Sequence, residues 1–216
     1  MALEDADALW AAQKDRLRPG ELACRAGCFG CCVGLFAISL PEALALRRAA
    51  FALPEHVREG VHARAARAVA RSAQVFPGDP GLGILDPERV EGAEDAFFEA
   101  VRATACPVLD LPSGRCLVYA ARPTTCRTYG LALASGAELV LPACELNLPA
   151  APPARSLETA IDAARLAAVD QALADLAAAD GLPAGAETTV AHALTGAAFE
   201  KLERPRVRRG PVRPRP

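Results

Sequence analysis

The stretch CRAGCFGCC, residues 24–32, places four cysteines within nine residues and is the part of the chain on which the predicted fold depends. The other four of the eight cysteines follow much later, at Cys106, Cys116, Cys126 and Cys144. Cysteines that serve only as small buried hydrophobes occur singly. Clustering this tight predicts that the thiols act together on a bound metal.

The spacing inside the cluster supports a common centre for Cys24, Cys28 and Cys31. In a helix these three residues share one face, and in a turn-rich segment the intervening glycines allow the chain to fold back. Two residues between cysteines is the spacing found in zinc knuckles and iron-sulfur proteins. Cys32 directly follows Cys31, so we expect their side chains to diverge and one of them to serve a different metal, a supporting position or redox exchange.

Eight thiolates are enough for two four-cysteine sites, or for one four-iron cluster with four sulfurs left over, and the sequence does not choose between these arrangements. The predicted partner is therefore a metal ion, held either as Zn2+ or in an iron-sulfur cluster. Between the two metals we favour iron. We also expect the metal to be structural, because thiolate binding of zinc in small sites is coupled to folding.

The surroundings of the cysteines carry positive and aromatic side chains. Four thiolates on a divalent metal have a formal charge of 2-, which guanidinium groups can offset, and Arg122 and Arg127 flank Cys126. Tyr119 and Tyr129 could orient sulfurs through their hydroxyl groups or pack as core aromatics, and packing is the simpler interpretation. These four residues are the predicted supporting residues of the cofactor site.

Composition predicts where the protein acts. The chain has 216 residues, a formal net charge of -2, 52% hydrophobic and 23% charged residues, which suits one ordinary core. Its longest apolar stretch is far shorter than the roughly 20 residues of a membrane helix, and its acidic first residues do not resemble a secretory signal. We therefore expect a cytoplasmic protein without a membrane partner, in which thiols stay reduced and metal binding is favoured over disulfides.

The predicted fold class is mainly α (α+β), a helical domain with a small β-hairpin organised around a Cys-rich metal site. Apolar periodicity predicts helices over residues 2–17, 40–51, 54–76 and 94–105, the second opened by a capping box of Ser39 and Glu42. Residues 108–119, with the turn PSG inside them, predict the hairpin. A final long helix is expected from the cap Ser156 to Gly181. Its expected apolar stripe is Leu157, Ile161, Val169, Leu173 and Leu176.

Three regions are predicted along the chain: a Cys-cluster metal-binding domain over residues 1–150, a helical extension packed on it over 151–203, and an Arg/Pro tail over 204–216. The tail holds six arginines and no acidic residue, which predicts disorder. Arginines could bind the phosphates of nucleic acid, but the sequence shows no DNA-recognition helix and no aromatic surface for base stacking beside them. We expect a solvated tail and no nucleic-acid site, and no protein partner is identified.

Larger motifs match a known pattern. CRAGCFGCC is followed by CPVL at Cys106, by GRCLVY at Gly114 and by RPTTCRTY at Arg122. Together they resemble the YkgJ-type cysteine cluster family, the CxxxCxxCC zinc- or iron-chelating domain, over residues 21–144. The resemblance implies that all eight cysteines are metal ligands and that the metal is zinc or iron, often as an iron-sulfur cluster. It supplies no catalytic residue.

Whether the chain is an enzyme stays open. One alternative is an iron-sulfur redox or methyl-transfer enzyme, and another is a zinc-stabilised protein-interaction module. The spacing of Cys24, Cys28 and Cys31 also fits radical S-adenosylmethionine enzymes, but the alternating strands and helices of their barrel are absent from the sequence. A cysteine nucleophile activated by Arg127 would lack a nearby histidine base.

Overall fold

The computed structural model describes residues 2–88, 92–183, 185–196 and 199. Within these ranges the chain is mainly helical with small sheets, as the sequence predicts. The helices are α1 (Ala2–Lys14), α2 (Leu40–Phe51), α3 (Glu55–Ser72), α4 (Ala93–Val101), α5 (Thr124–Thr128), α6 (Pro153–Glu158), α7 (Ala163–Ala179) and α8 (Val190–Thr195). The tail predicted over 204–216 lies outside the described residues.

The strands are short and form four small sheets. In chain order they are β1 (Ala37–Ser39), β2 (Gly78–Asp79), β3 (Ile84–Leu85), β4 (Leu109–Asp110), β5 (Arg115–Cys116), β6 (Leu133–Ser135), β7 (Glu138–Leu141), β8 (Ile161–Asp162) and β9 (Glu187–Thr189). The antiparallel pair β4–β5 is the predicted hairpin. Strand β6 lies between antiparallel β7 and parallel β8. In the described residues, no helix is long and apolar enough to span a lipid bilayer.

The largest apolar core lies between α2, α3 and α8. Leu46 of α2, Val61 of α3 and Leu194 of α8 are buried together, and Phe199 packs against them. Helix α2 begins with the predicted capping box of Ser39 and Glu42, in which each side chain hydrogen-bonds to the backbone of the other residue. This core is the scaffold from which the cysteine-bearing segments extend.

A second core joins the first helix to the late part of the chain. Ala2, Ala6 and Leu9 of α1 are buried with Val169 and Leu173 of α7. The buried face of α1 is therefore made by small alanines and one leucine, whereas the larger Leu3 and Trp10 are only partly buried. Small side chains allow the two helices to approach closely.

The long helix predicted from Ser156 is wrong, because it is broken into α6, strand β8 and α7. The carboxylate of Asp162 accepts hydrogen bonds from the backbone N–H groups of Ala164 and Arg165, and so caps α7 in place of Ser156. Ile161 lies in β8 beside β6, and Leu176 is exposed. Leu176 therefore leaves the predicted stripe, whereas Ile161, although it lies in a strand, is buried in one core with Val169 and Leu173.

Strand β1 pairs with β9, which joins parts of the chain that lie far apart in sequence. Ala37 faces Thr189 and Ser39 faces Glu187 in an antiparallel register. Strand β9 is polar in sequence, but Thr188 and Thr189 are fully buried. The hydroxyl of Thr188 donates to the carbonyl of Gly83 at 2.5 Å, and this bond satisfies its buried polar atom.

His192 is a buried core histidine, and its titration predicts a loss of stability in mild acid. Its ring stacks on Phe76 with ring centroids 4.1 Å apart, and its Nδ1 lies 2.9 Å from Thr189 Oγ1. Burial lowers the pKa of His192 from 6.5 to about 4. As the pH falls below 6.5 the unfolded chain takes up the proton first, so we expect the free energy of unfolding to decrease by roughly 1.5 kcal/mol between pH 6.5 and pH 5.

Chemical denaturation across that pH range measures this effect. The His192→Phe variant keeps an aromatic ring against Phe76 but cannot titrate, so its stability should depend less steeply on pH than that of the natural chain. Equal slopes for the two proteins would show that His192 is not the titrating group.

Candidate metal centre

The N-terminal cysteine segment is held by turns and not by a hydrophobic core. No residue between positions 15 and 34 is buried. Gly27 adopts a φ of +88°, which favours glycine, and the N–H of Cys28 donates to the carbonyl of Arg25 at 3.0 Å. Residues Gly30–Cys32 form a single 3-10 turn. Of the two geometries predicted for this segment, the turn-rich one is the one observed.

One group of cysteines gathers beside the hairpin. The N–H of Cys106 donates to the carbonyl of Cys32 at 2.8 Å, and Leu109 pairs with Cys116 across β4 and β5. Cys126 lies on α5. Burial and the charge of Cys116 raise the pKa of Cys106 to about 12, and burial followed by the charges of Cys106 and Cys116 raises the pKa of Cys126. The charges of these thiols therefore act on one another.

A second group gathers around a buried amide. Asn147 Nδ2 lies 3.4 Å from Cys24 Sγ, and the N–H of Asn147 donates to the carbonyl of Cys144 at 2.8 Å. Burial raises the pKa of Cys24, and the charges of Cys28, Cys144 and Cys31 raise it further. Cys24, Cys28 and Cys144 are thus brought together although more than a hundred residues separate the first two from the third.

Cys31 lies between the two groups. Its thiolate accepts a hydrogen bond from Cys32, which lowers the pKa of Cys31 and raises that of Cys32. The two sulfurs are therefore close to each other, so the expectation that these adjacent side chains diverge is wrong, whereas the expectation that one of them serves a different metal stays a prediction. The charge of Cys31 acts on Cys24 in one group and on Cys106, Cys116 and Cys126 in the other.

The sulfurs lie in the same region of the protein but do not converge on a common centre. Across the described ranges, no three His, Cys, Asp or Glu side chains are arranged tightly enough to hold a metal ion. The donor set nevertheless suits the expected metals, since all eight thiols are free of disulfides. Zinc and iron-sulfur clusters both take thiolate ligands in sets of four.

The two arginines near Cys126 differ in what they contact. Arg127 is buried, and its guanidinium donates to the carbonyls of Arg122 and Ala120 and forms an ion pair with Asp7. It ties α1 to the segment that leads into α5. Arg122 donates to the carbonyl of Cys126 at 3.4 Å, and its charge opposes the rise that burial causes in the pKa of Cys116 and Cys126. Of the two, Arg122 is the one placed to offset thiolate charge.

The two tyrosines are not core aromatics, so the packing interpretation is wrong. Tyr119 is 62% exposed and Tyr129 is 49% exposed. Arg122 stacks on the ring of Tyr119, 3.6 Å from its centroid. Burial raises the pKa of Tyr129, and the charges of Cys144 and Cys31 raise it further, so the Tyr129 hydroxyl lies near the Asn147 group.

Two residues that shape the site were missed or only half recognised. Glu42 was predicted as a helix cap, but its carboxylate also accepts a 2.6 Å hydrogen bond from the N–H of Thr124, at the start of α5. Asn147 was not predicted at all. It is a lone asparagine in a Pro-rich connector, and no spacing or periodicity marks it.

Comparison with known proteins adds one finding to this geometry. The family model CxxCxxCC, described as a "putative zinc- or iron-chelating domain", matches residues 23–145. The match spans more than half of the chain and includes all eight cysteines. No curated protein and no solved structure matches the chain.

Proposed function

The chain belongs to the CxxCxxCC family of zinc- or iron-chelating domains, and we propose that it binds its metal at two four-cysteine sites. The first site is made of Cys24, Cys28, Cys31 and Cys144. The second site is made of Cys32, Cys106, Cys116 and Cys126. The supporting observation is the division of the thiols into two groups of neighbours, one around Asn147 and one beside the β4–β5 hairpin.

Cys31 is assigned by elimination. Its charge reaches both groups, but the hairpin group already has four sulfurs without it. Zinc and iron-sulfur sites built from cysteine take four thiolates. Giving Cys31 to the Asn147 group completes that group and leaves no thiol over, whereas a single four-iron cluster would leave four cysteines without a role.

The residues around the two sites would hold and balance the metal. Arg122 offsets negative charge at the second site through its position beside Cys126. Glu42 holds the N-terminus of α5, which carries Cys126. When bound, zinc would supply rigidity, and an iron-sulfur cluster, which we favour, would supply electron transfer.

The first experiment is anaerobic purification followed by elemental analysis and a visible absorption spectrum on one sample. Two zinc ions per colourless chain, or the iron and sulfide of two clusters per coloured chain, would support chelation at two sites. Reduced protein without stoichiometric zinc or iron would contradict the proposal.

Single cysteine substitutions test the division into two sites. We expect Cys28→Ser to lose the metal of the first site and Cys126→Ser to lose that of the second, because each variant removes one ligand of four. Each variant should retain about half of the natural metal content, and the double variant should retain almost none. Ser113→Ala, on the exposed hairpin turn, is the control and should keep both sites. If either single variant lost all the metal, the two sites would be one.

A further inference from the structure

Asn147 contacts the segments that carry cysteines, although no spacing in the sequence marks it as part of the site. Its side chain is buried, although it lies two residues beyond the matched family model. The amide nitrogen Nδ2 is 2.7 Å from the carbonyl of Gly130 and 3.4 Å from Cys24 Sγ. The amide oxygen accepts a hydrogen bond of 2.8 Å from the N–H of Ala23. One side chain therefore joins the residues around Cys24 to the loop that leads to Cys144.

The orientation of this amide is fixed by its partners. The carbonyl of Gly130 can only accept a hydrogen bond, and the N–H of Ala23 can only donate one. Nδ2 must therefore face Gly130 and the oxygen must face Ala23. The second hydrogen of Nδ2 is left for Cys24 Sγ at 3.4 Å, and the amide oxygen lies 3.8 Å from the same sulfur, so the amide contacts Cys24 through both of its polar atoms.

The backbone holds Asn147 in place at some cost. Leu148, the next residue, has a φ of +53°, which is uncommon for a leucine. Its buried side chain and the hydrogen bond of its N–H to the carbonyl of Glu21, at 2.8 Å, maintain this conformation. Strained backbone of this kind persists where the surrounding structure requires it.

Because Gly130 has no side chain, it leaves space for Asn147 and Cys24 to approach each other. A Cβ atom on Gly130 would lie 3.0 Å from both Cys24 Sγ and Asn147 Nδ2. Its φ of +104° also favours glycine. The sulfur, the amide and the glycine are therefore packed against one another, and displacing any of the three would move Cys24.

We propose that Asn147 is a positioning residue of the first metal site, which holds Cys24 Sγ beside Cys144 by donating an N–H···S hydrogen bond. This inference rests on the proposed metal chelation. Partners of metal ligands outside the coordination sphere fix ligand orientation, and their loss weakens metal affinity by about 10- to 100-fold. We therefore expect Asn147 to set the affinity of the first site and to leave the second site unchanged.

The test uses the full chain, reduced and anaerobic, titrated with Co2+ and followed by its thiolate charge-transfer absorption. The natural chain should bind two Co2+ ions. Asn147→Asp keeps the acceptor for Ala23 and removes both N–H donors, and Asn147→Leu removes them without adding charge. Both variants should bind one Co2+ ion at least tenfold more weakly and the other normally. Gln171→Leu, which removes a surface amide from α7, is the control.

Repeating the substitutions in a Cys24→Ser background separates positioning from general destabilisation. If Asn147 acts through Cys24, its replacement should change Co2+ binding no further once that sulfur is gone. Natural affinity in both Asn147 variants, or effects that add fully to that of Cys24→Ser, would overturn the inference. Loss of both Co2+ ions in both variants would also overturn it. Failure of the natural chain to bind two Co2+ ions would instead count against the two-site proposal.

Discussion

Complete removal of the bound metal is expected to unfold the N-terminal cysteine segment and to lower the melting temperature of the whole protein. Residues 15–34 contain no buried side chain, so burial of apolar surface does little to hold them. Small thiolate sites derive on the order of 10 kcal/mol of folding free energy from zinc. Loss of even part of this free energy is larger than the stabilisation that the turns of the segment provide.

Limited proteolysis and circular dichroism measure this outcome. Without metal, trypsin should cleave rapidly after the exposed Arg16 and Arg25, whereas the core of α2, α3 and α8 should be cut later. Adding metal back should restore protection. If the melting temperature and the cleavage rate did not change after complete removal, the metal would contribute nothing to folding and its role would be purely functional.

The second large effect is expected from Glu42→Ala. The carboxylate of Glu42 is buried and accepts hydrogen bonds from the N–H and hydroxyl of Ser39 and from the N–H of Thr124. Alanine would leave these donors without their partner. Each buried donor left unsatisfied costs about 1 to 3 kcal/mol, so we expect the free energy of unfolding to fall by about 3 to 5 kcal/mol.

Chemical denaturation of the metal-loaded chain checks the value, with Glu55→Ala as the matched control. Glu55 also stands in the first turn of a helix, α3, but it is exposed, and its replacement should cost less than about 1 kcal/mol. Because Thr124 begins the helix that carries Cys126, Glu42→Ala should also weaken the second metal site. An effect no larger than that of Glu55→Ala would mean that water replaces the carboxylate at little cost.

Local signals in the sequence predicted the elements that depend on neighbouring residues. The capping box of Ser39 and Glu42 marked the start of α2, and the PSG turn marked the β4–β5 hairpin. Each of these patterns is completed within a few residues, so the sequence contains all the partners. The same reasoning failed at Asp162, where a carboxylate cap and a short parallel strand interrupt a pattern that otherwise continues as a helix.

Long-range partners explain what could not be predicted. The pairing of β1 with β9 and the bond from Thr124 to Glu42 join segments with no shared pattern in the sequence. That the eight cysteines are metal ligands stays a prediction, and their arrangement in two groups depends on Asn147 and on the hairpin, which lie far along the chain from residues 24–32. The exposure of Tyr119 and Tyr129 likewise depends on tertiary contacts, because aromatic residues in a motif do not reveal which face they occupy.

The β1–β9 pairing also has a consequence for biosynthesis. Ala37 can pair with Thr189 only after the ribosome has added the roughly 150 residues that separate them. At roughly 5 to 20 residues per second, the ribosome needs on the order of ten seconds to supply that partner. For most of this interval the thiols of residues 24–32 have already been synthesised while Cys144 and Asn147 have not. The proposed first site would thus be completed late in synthesis, and its nascent thiols would pass through a period in which oxidants and other metals compete for them.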